Sequence, residues 1–480
     1  MSVGHRVERP RAQCSSHGRT LPHRRPAAAR TQNGHFSHAW SAMVLQPRIW
    51  PPPVCILFGL LAMIVRNRLR SCTGNFDRSG STHMASASLG RKIAVSVAAT
   101  VSAFSGLVGA TASADPGHGQ GAAPEHIFYI MMENQGDDDI LGNTADAPFI
   151  NQLANDYGVS TGFHGVTHPS LPNYLSMFSG DFQGIWDDCK AGADSKCAPE
   201  EFVPNSGDGT SGAALTPEQI TSATNKPHMF AGKNLVDELE GKGKSWKAYM
   251  GAMPSAGFAG ATAPIGDTGV SLYAQKHNPF MYFSDVTSDN ARLQKVVPFE
   301  NNFDADLKSG NVPAFTWISP DLCQDMHGMS ASNAAKINQP KCAYPDSGVS
   351  HGPIQTGDAY LKDTITKIMN SDTWKKTRSS IVVAWDENDY SGFSGGPGSP
   401  VGANGVVLGG GDAPLLVINS DKVHKEKGEP GKPAPHHKVS TDVTDHYSVL
   451  SSIEHLWDLG CLANTCQHKA PESFKDLFEN

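Results

Sequence analysis

The chain has 480 residues, a net charge of −8 and only 18% charged side chains, which excludes a broad basic surface for nucleic acid. With 39% hydrophobic residues it is long enough to bury one large core, and its 48 glycines and 32 prolines mark a loop-rich protein.

Residues 1–83 are rich in Arg, Pro, Ser and His, and their one apolar run, 54–65, is too short to span a bilayer. At Met84 the pattern changes. Arg91 and Lys92 precede an apolar stretch over 93–108, and Ala112-Ser113-Ala114 forms a small-residue cleavage site, so 84–114 reads as a secretory signal peptide. Met84 is then the expected initiator and 1–83 an upstream extension, non-native or without structure. Residues 115–123 read as a linker to one domain over 124–480, with no membrane anchor left after cleavage. Cys14, Cys55 and Cys72 precede the signal. The other cysteines fall as neighbours (Cys189/Cys197, Cys323/Cys342, Cys461/Cys466), which in an exported chain predicts three short disulfides; a zinc site has no CxxC spacing to support it.

The apolar run 126–131 predicts a buried strand ending in Glu133-Asn134, and 147–157 a helix. Then comes THPSLPNYLSMFSG over 167–180. Pro169 and Pro172 hold Ser170 in a turn, with a helix resuming at Asn173. Taken alone, this is an ordinary Pro-rich turn with a capping serine. It is also a good place to present a hydroxyl to an anion. Residues 181–230 read as a surface excursion, 233–240 as a helix, 245–250 as a strand, and 251–310 as irregular, with an HNPFMYF segment to wall a cleft. The strand 312–318 runs into Asp321, Asp325 and His327. A helix over 358–369 follows, then the clearest strand, 380–385, which ends in Asp386-Glu387. Residues 413–418 predict another buried strand and 442–459 an amphipathic helix with His446 in its first turn.

Strands alternating with helices predict an α/β fold, a three-layer α/β/α sandwich with a mostly parallel central sheet whose ligands sit at the carboxyl ends of the strands. Three strands carry acids or amides at that end, beside a proline-framed serine. Hard oxygen ligands with an imidazole suit a divalent metal ion such as Ca, Mg, Mn or Zn, and a metal near the serine makes its alkoxide accessible. Ser170 does not sit in the GxSxG elbow of a serine hydrolase nucleophile, and a serine protease would leave the carboxylates unexplained.

The series Glu133-Asn134, THPSLPNY (167–174) followed by SG, PDLCQDMHG (320–328), GDAYL (357–361), WDEND (385–389) and HYSVLSSIEHLW (446–457) resembles the bacterial phosphoesterase family of the alkaline phosphatase-like superfamily. That family includes secreted acid phosphatases, a mycobacterial phosphatidylinositol-3-phosphatase type and the non-specific phospholipases C. The likeness runs over most of 124–460 and is nearest to the phosphatase branch. It implies metal-binding positions at Glu133, Asn134, Asp386 and Glu387, a nucleophile at Ser170, and a second metal or leaving-group site at Asp325 and His327, with Asp321 beside them. It places Asn173 where it could hydrogen-bond a phosphoryl oxygen, and His446 at the histidine that opens the last helix. His168 either donates to phosphate or packs. Two features depart. ENQGDDDILG stands where the phospholipase branch has ENxSFDHYFG. Residues 388–412 hold no histidine for a second metal, which favours one metal; His436-His437 read as a solvated loop.

The expectation is a secreted metal-dependent phosphomonoesterase, acid phosphatase-like, acting on a small phosphate ester or a phosphoinositide through a phosphoserine on Ser170. A phosphodiesterase or phospholipase C acting on phospholipid head groups is the nearest alternative. A catalytically silent secreted binding protein is the other.

Overall fold

The computed structural model describes residues 123–204, 213–345, 347–421 and 437–478. The upstream extension, the signal peptide, all but the last residue of the linker, and His436 lie outside the described residues; His437 is exposed.

The apolar run after Glu125 forms β1 (His126–Met132), buried at every position but the first. Every residue of Phe315–Ser319 and Ser379–Trp385 is also buried. Side chains of a strand alternate between faces, so continuous burial requires layers on both sides of the sheet. The remaining strands of the main sheet, with their chain-order labels, are β2 (Gly158–Ser160), β3 (Trp246–Met250), β4 (Val296–Pro298), β5 (Phe315–Ser319), β6 (Ser379–Trp385), β7 (Leu415–Asn419) and β8 (Lys438–Ser440). Their order is β8-β2-β7-β6-β1-β5-β3-β4. Only β7 runs against its neighbours, pairing antiparallel with both β6 and β2. The predicted mostly parallel α/β/α sandwich is therefore the observed architecture. The three-residue strands β2, β4 and β8 escaped prediction because they are too short to show a period.

Around the sheet, α1 (Pro148–Asp156) packs on α4 (His351–Asn370), and α2 (Ser170–Ser179) on α5 (His446–Leu456); α3 (Leu235–Gly241) is a shorter helix. Two helices begin earlier than their composition predicts. In α4, Gly352, Pro353 and Gly357 look like breakers. Pro353 sits in the first turn, where no intrahelical N–H bond is lost, while side chains at Gly352 and Gly357 would collide with the Lys341 carbonyl and the Met326 side chain. The same logic corrects the serine stretch. Helix α2 starts at Ser170, not Asn173, because Pro172 occupies the third helical position and gives up no intrahelical bond.

Every residue of α2 is buried, and Phe178 and Tyr174 pack against Trp317 of β5, which itself packs on Tyr129 of β1 at 4.9 Å between ring centroids. This aromatic cluster seats α2 on the β1/β5 face of the sheet. The three predicted disulfides are all formed. Residues 181–230 are not a mere excursion: Trp186, Phe202, Leu215 and Ala223 bury themselves with Leu408 in a second small core. No helix among the described residues is long and apolar enough to cross a membrane.

Helix α5 carries a testable electrostatic cost. Glu454 accepts hydrogen bonds from Leu462 N (3.0 Å) and Thr465 Oγ1 (2.8 Å), yet burial pushes its carboxyl up to about 7. The folded state thus holds this proton more tightly than the unfolded state, so stability is lost as pH rises from about 4.5 to 7. Glu454→Gln keeps an acceptor and removes the charge. Its Tm is expected to exceed the parent's at about pH 8 and to match it near pH 4. A Tm difference that does not change with pH would rule this out.

Candidate active site

Because β6, β1 and β5 are adjacent, the three acidic strand ends meet at one edge of the sheet. Glu133 follows β1, Asp386 and Glu387 follow β6, and Asp325 lies in the turn after β5; all four carboxylates are fully buried. Backbone bonds lock the turns together. Glu133 N–H donates to the Asp325 carbonyl (2.8 Å), and Asn134 N–H donates to Asp386 Oδ1 (3.0 Å). Asn134 reaches that position with φ of 51°, a left-handed conformation that asparagine tolerates better than most residues.

Ser170, the first residue of α2, is 1% exposed and donates through Oγ to Glu133 Oε2 at 3.0 Å. It does not cap its helix; that position belongs to Pro169. Asn173, one turn on, uses its carboxamide to tie the turn together. Its oxygen accepts from Val166 N and Thr167 N, and its nitrogen donates to the Thr167 and Pro169 carbonyls and to Glu387 Oε2 at 3.2 Å. These bonds give Asn173 a positioning role in the turn that carries Ser170. His168 is buried, with Nδ1 2.8 Å from Glu387 Oε2 and its ring stacked on Tyr390 at 4.1 Å.

Burial raises the carboxyl groups of Glu133, Asp325, Asp386 and Glu387 well above their ordinary range, and mutual repulsion adds to it: Asp386 acts on Glu133, Glu387 on Asp386, and Glu133 on Asp325. Glu133 Oε1, Asp325 Oδ2 and Asp386 Oδ2 lack an aligned hydrogen bond. His277 bridges two of these acids, with Nε2 3.1 Å from Glu133 Oε1 and Nδ1 3.3 Å from Asp325 Oδ2. Burial and the nearby Lys276 hold its imidazole well below its usual pKa.

Buried acids left like this cost stability unless they are protonated or share a cation. The Asn134 carboxamide sits in the same frame: the end facing the acids lies 3.2 Å from both Glu387 Oε1 and Glu133 Oε2. With nitrogen there, it donates to both. With oxygen there, the cluster is an all-oxygen donor set of the kind that suits a hard divalent cation.

Among the described residues, the one group of three or more His, Cys, Asp or Glu residues with ligand atoms all within 4.8 Å of one another is Asp187, Cys189 and His228, not the strand-end acids. Cys189 is bonded to Cys197 and so offers no thiolate, while Asp187 and His228 close on each other at 2.7 Å. This trio is a structural pair beside a disulfide.

Two predicted residues stand apart from the cluster. Asp321 spends Oδ1 on the N–H groups of Cys323 (2.9 Å) and Gln324 (3.0 Å), capping its own turn rather than facing the acids. His446 directs Nε2 to the Asp386 carbonyl at 2.7 Å, and burial holds its imidazole down at about 4; it supports the β6 end and makes no hydrogen bond to Ser170. His327 is half-buried, its ring 6.0 Å from that of His277, and burial with the Lys276 charge lowers it to about 4.

Sequence reasoning missed Lys276, His277 and Asp188. Lys276 Nζ lies 3.3 Å from Ser170 Oγ and 2.7 Å from Asp188 Oδ2. His277 opens the HNPFMYF segment expected to wall a cleft, and Lys276 falls just before it in the stretch expected to be irregular. A basic pair in an irregular stretch carries no periodic or spacing signal, and 106 residues separate Lys276 from Ser170.

The "Probable acid phosphatase" of Kluyveromyces lactis is 26% identical over 340 residues, 71% of this chain and 60% of that one. The phosphatidylinositol-3-phosphatase of Mycobacterium tuberculosis is 27% identical over 267 residues, 55% of this chain and 64% of that one. The chain thus spans less than two-thirds of the length of either relative. Among solved structures, a Vibrio parahaemolyticus protein of the alkaline phosphatase superfamily aligns over 74% of this chain and 72% of its own, with 14% identity and a TM-score of 0.39. Residues 143–460, including Ser170 and both later acidic strand ends, match the Phosphoesterase family, and the chain belongs to that family.

Proposed function

We propose that this chain is an exported, metal-dependent phosphomonoesterase of the acid phosphatase type that works through a phosphoserine on Ser170. The observation that carries the reading is the Ser170 hydroxyl, buried at the start of α2 and hydrogen-bonded to Glu133 among four buried carboxylates. Glu133, Asn134, Asp386 and Glu387 would hold a divalent cation, which lowers the pKa of a neighbouring hydroxyl and offsets charge on a phosphoryl group. As Ser170 Oγ bonds to phosphorus and the ester P–O bond breaks, its proton passes to the Glu133 carboxylate it already faces. His327, half-buried with its ring 6.0 Å from that of His277, is the acid we assign to the leaving oxygen, and it carries a proton to donate below about pH 4. Asp325 orients the His327 backbone through a 2.8 Å bond. Acid phosphatase and phosphatidylinositol-3-phosphatase relatives support a small phosphate ester or a phosphoinositide as substrate. Three disulfides support an oxidising, extracellular location, in keeping with the signal read over 84–114.

The test is turnover by the 115–480 chain of p-nitrophenyl phosphate, its bis ester and dispersed phosphatidylinositol 3-phosphate. Monoester kcat/KM is expected to exceed that of the bis ester by roughly a hundredfold or more. A preference for the bis ester would replace this reading with the phospholipase C one. Metal binding without turnover of any ester would favour a silent binding protein.

A further inference from the structure

The strand-end acids account for a cation and a nucleophile, but leave the oxygens of the incoming phosphoryl group without donors. Those donors lie on the other side of Ser170. Lys276 Nζ is 3.3 Å from Ser170 Oγ, and the same ammonium holds Asp188 Oδ2 at 2.7 Å. The second Asp188 oxygen, Oδ1, accepts the Leu171 backbone N–H at 3.0 Å. Leu171 is the second residue of α2, so its amide has no partner within the helix. One carboxylate thus spans an ammonium and a free helix amide, directly beside the attacking hydroxyl.

The charge balance keeps this arrangement alive. Burial would drive the proton off Lys276, but the Asp188 carboxylate 2.7 Å away leads the effects that raise its affinity for the proton, so the ammonium stays charged. The Lys276 and Asp188 side chains are 18% and 20% exposed, whereas Ser170 is 1% exposed and Glu133 fully buried. The ion pair is the part of this cluster that meets solvent. Its neighbour Asp187 faces inward to His228, so the chain separates a buried structural acid from an accessible one at adjacent positions.

We propose that Lys276 and the Leu171 amide bind the phosphoryl oxygens of the ester at Ser170, and that Asp188 occupies this oxyanion site in the free protein and leaves it when substrate binds. The inference rests on reading Ser170 as the nucleophile. A carboxylate and a phosphoryl group both present paired anionic oxygens, and the phosphoryl group carries more charge, so it can displace the internal ligand. Asp188 then acts as a tethered competitor: apparent affinity for any oxyanion falls by the fraction of molecules in which Asp188 has withdrawn. When hydrolysis leaves inorganic phosphate behind, the returning carboxylate helps expel it. Lys276, touching the attacking oxygen, is a catalytic residue in this scheme.

The competing possibility is that Asp188 only holds Lys276 in place, and the two predict opposite signs. Orthovanadate and inorganic phosphate are titrated calorimetrically into the metal-loaded parent and into Asp188→Asn, Lys276→Met and Lys276→Arg, with Tm confirming that each is folded. Asp188→Asn is expected to bind both anions roughly threefold to thirtyfold more tightly. Lys276→Met should lose roughly a hundredfold in anion affinity and in kcat/KM, and Lys276→Arg should restore most of it. Weaker binding by Asp188→Asn overturns the competitor role, and parental affinity in Lys276→Met overturns the site. A parent that hydrolyses p-nitrophenyl phosphate while every variant binds alike sinks this inference alone. A parent that neither binds nor hydrolyses sinks the phosphatase reading with it.

Discussion

Ser170→Ala is expected to lower kcat on p-nitrophenyl phosphate by roughly a thousandfold to a hundred-thousandfold, because it removes the atom that forms the covalent intermediate. The loss should be chemical, not structural. Ser170 Oγ does not cap α2; its hydrogen-bond partners among the described residues are Glu133 at 3.0 Å and Lys276 at 3.3 Å. Alanine suits the first turn of a helix, so Tm is expected to stay close to that of the parent. Anion affinity should survive too, since Lys276 and the Leu171 amide are untouched. Acid quenching of the parent during turnover should trap a phosphoryl group on the peptide containing Ser170, and none on the variant. Full turnover by Ser170→Ala would end the nucleophile assignment.

The second large effect concerns the buried acids. Chelation is expected to abolish at least roughly 99% of the turnover, and a matched divalent cation to restore it. Stability gives an independent reading. With a cation at a hundred times its Kd, the parent should gain about 2.7 kcal/mol. In the chelated protein the sign of the pH dependence is set by the raised carboxyls of Glu133, Asp386 and Glu387. Their folded forms hold protons that the unfolded chain releases near its ordinary carboxyl range, so the metal-free protein should be most stable in acid and lose Tm as pH rises beyond about 4.5. Asp386→Asn is neutral without taking up a proton and keeps a group of the same shape. It should therefore raise the Tm of the chelated protein at pH 7 and abolish both the cation-induced gain and the activity. A variant that keeps its cation response would place the metal elsewhere.

Much of the site was legible because each strand-end motif is local. The apolar run 126–131 stops at Glu133, and 380–385 stops at Asp386; a buried strand that ends in acids marks an edge where polar chemistry collects. Family likeness around Ser170 and WDEND (385–389) reinforced the same positions. Misreadings came where local chemistry has two outcomes. Pro172 breaks a helix interior but not its first turn, so α2 starts three residues before its predicted start. Asp321 and Asp325 occupy the same acidic turn, yet one caps backbone amides and the other faces Glu133 through His277. His446 lies at its predicted place on its helix, with Nε2 on the Asp386 carbonyl, a contact 60 residues away that no local pattern signals.

By itself, the amino-acid order determined the α/β class, the buried central strands, the acids at their ends, the disulfide pairs and the proline-framed serine, because each depends on residues close together in the chain. Only the tertiary structure decided that β6, β1 and β5 lie side by side, that Lys276 and Asp188 reach Ser170, and that Asn173 is consumed in holding the turn. Strand order and loop approach are set by which apolar faces bury against one another across hundreds of residues. No short-range pattern records that choice.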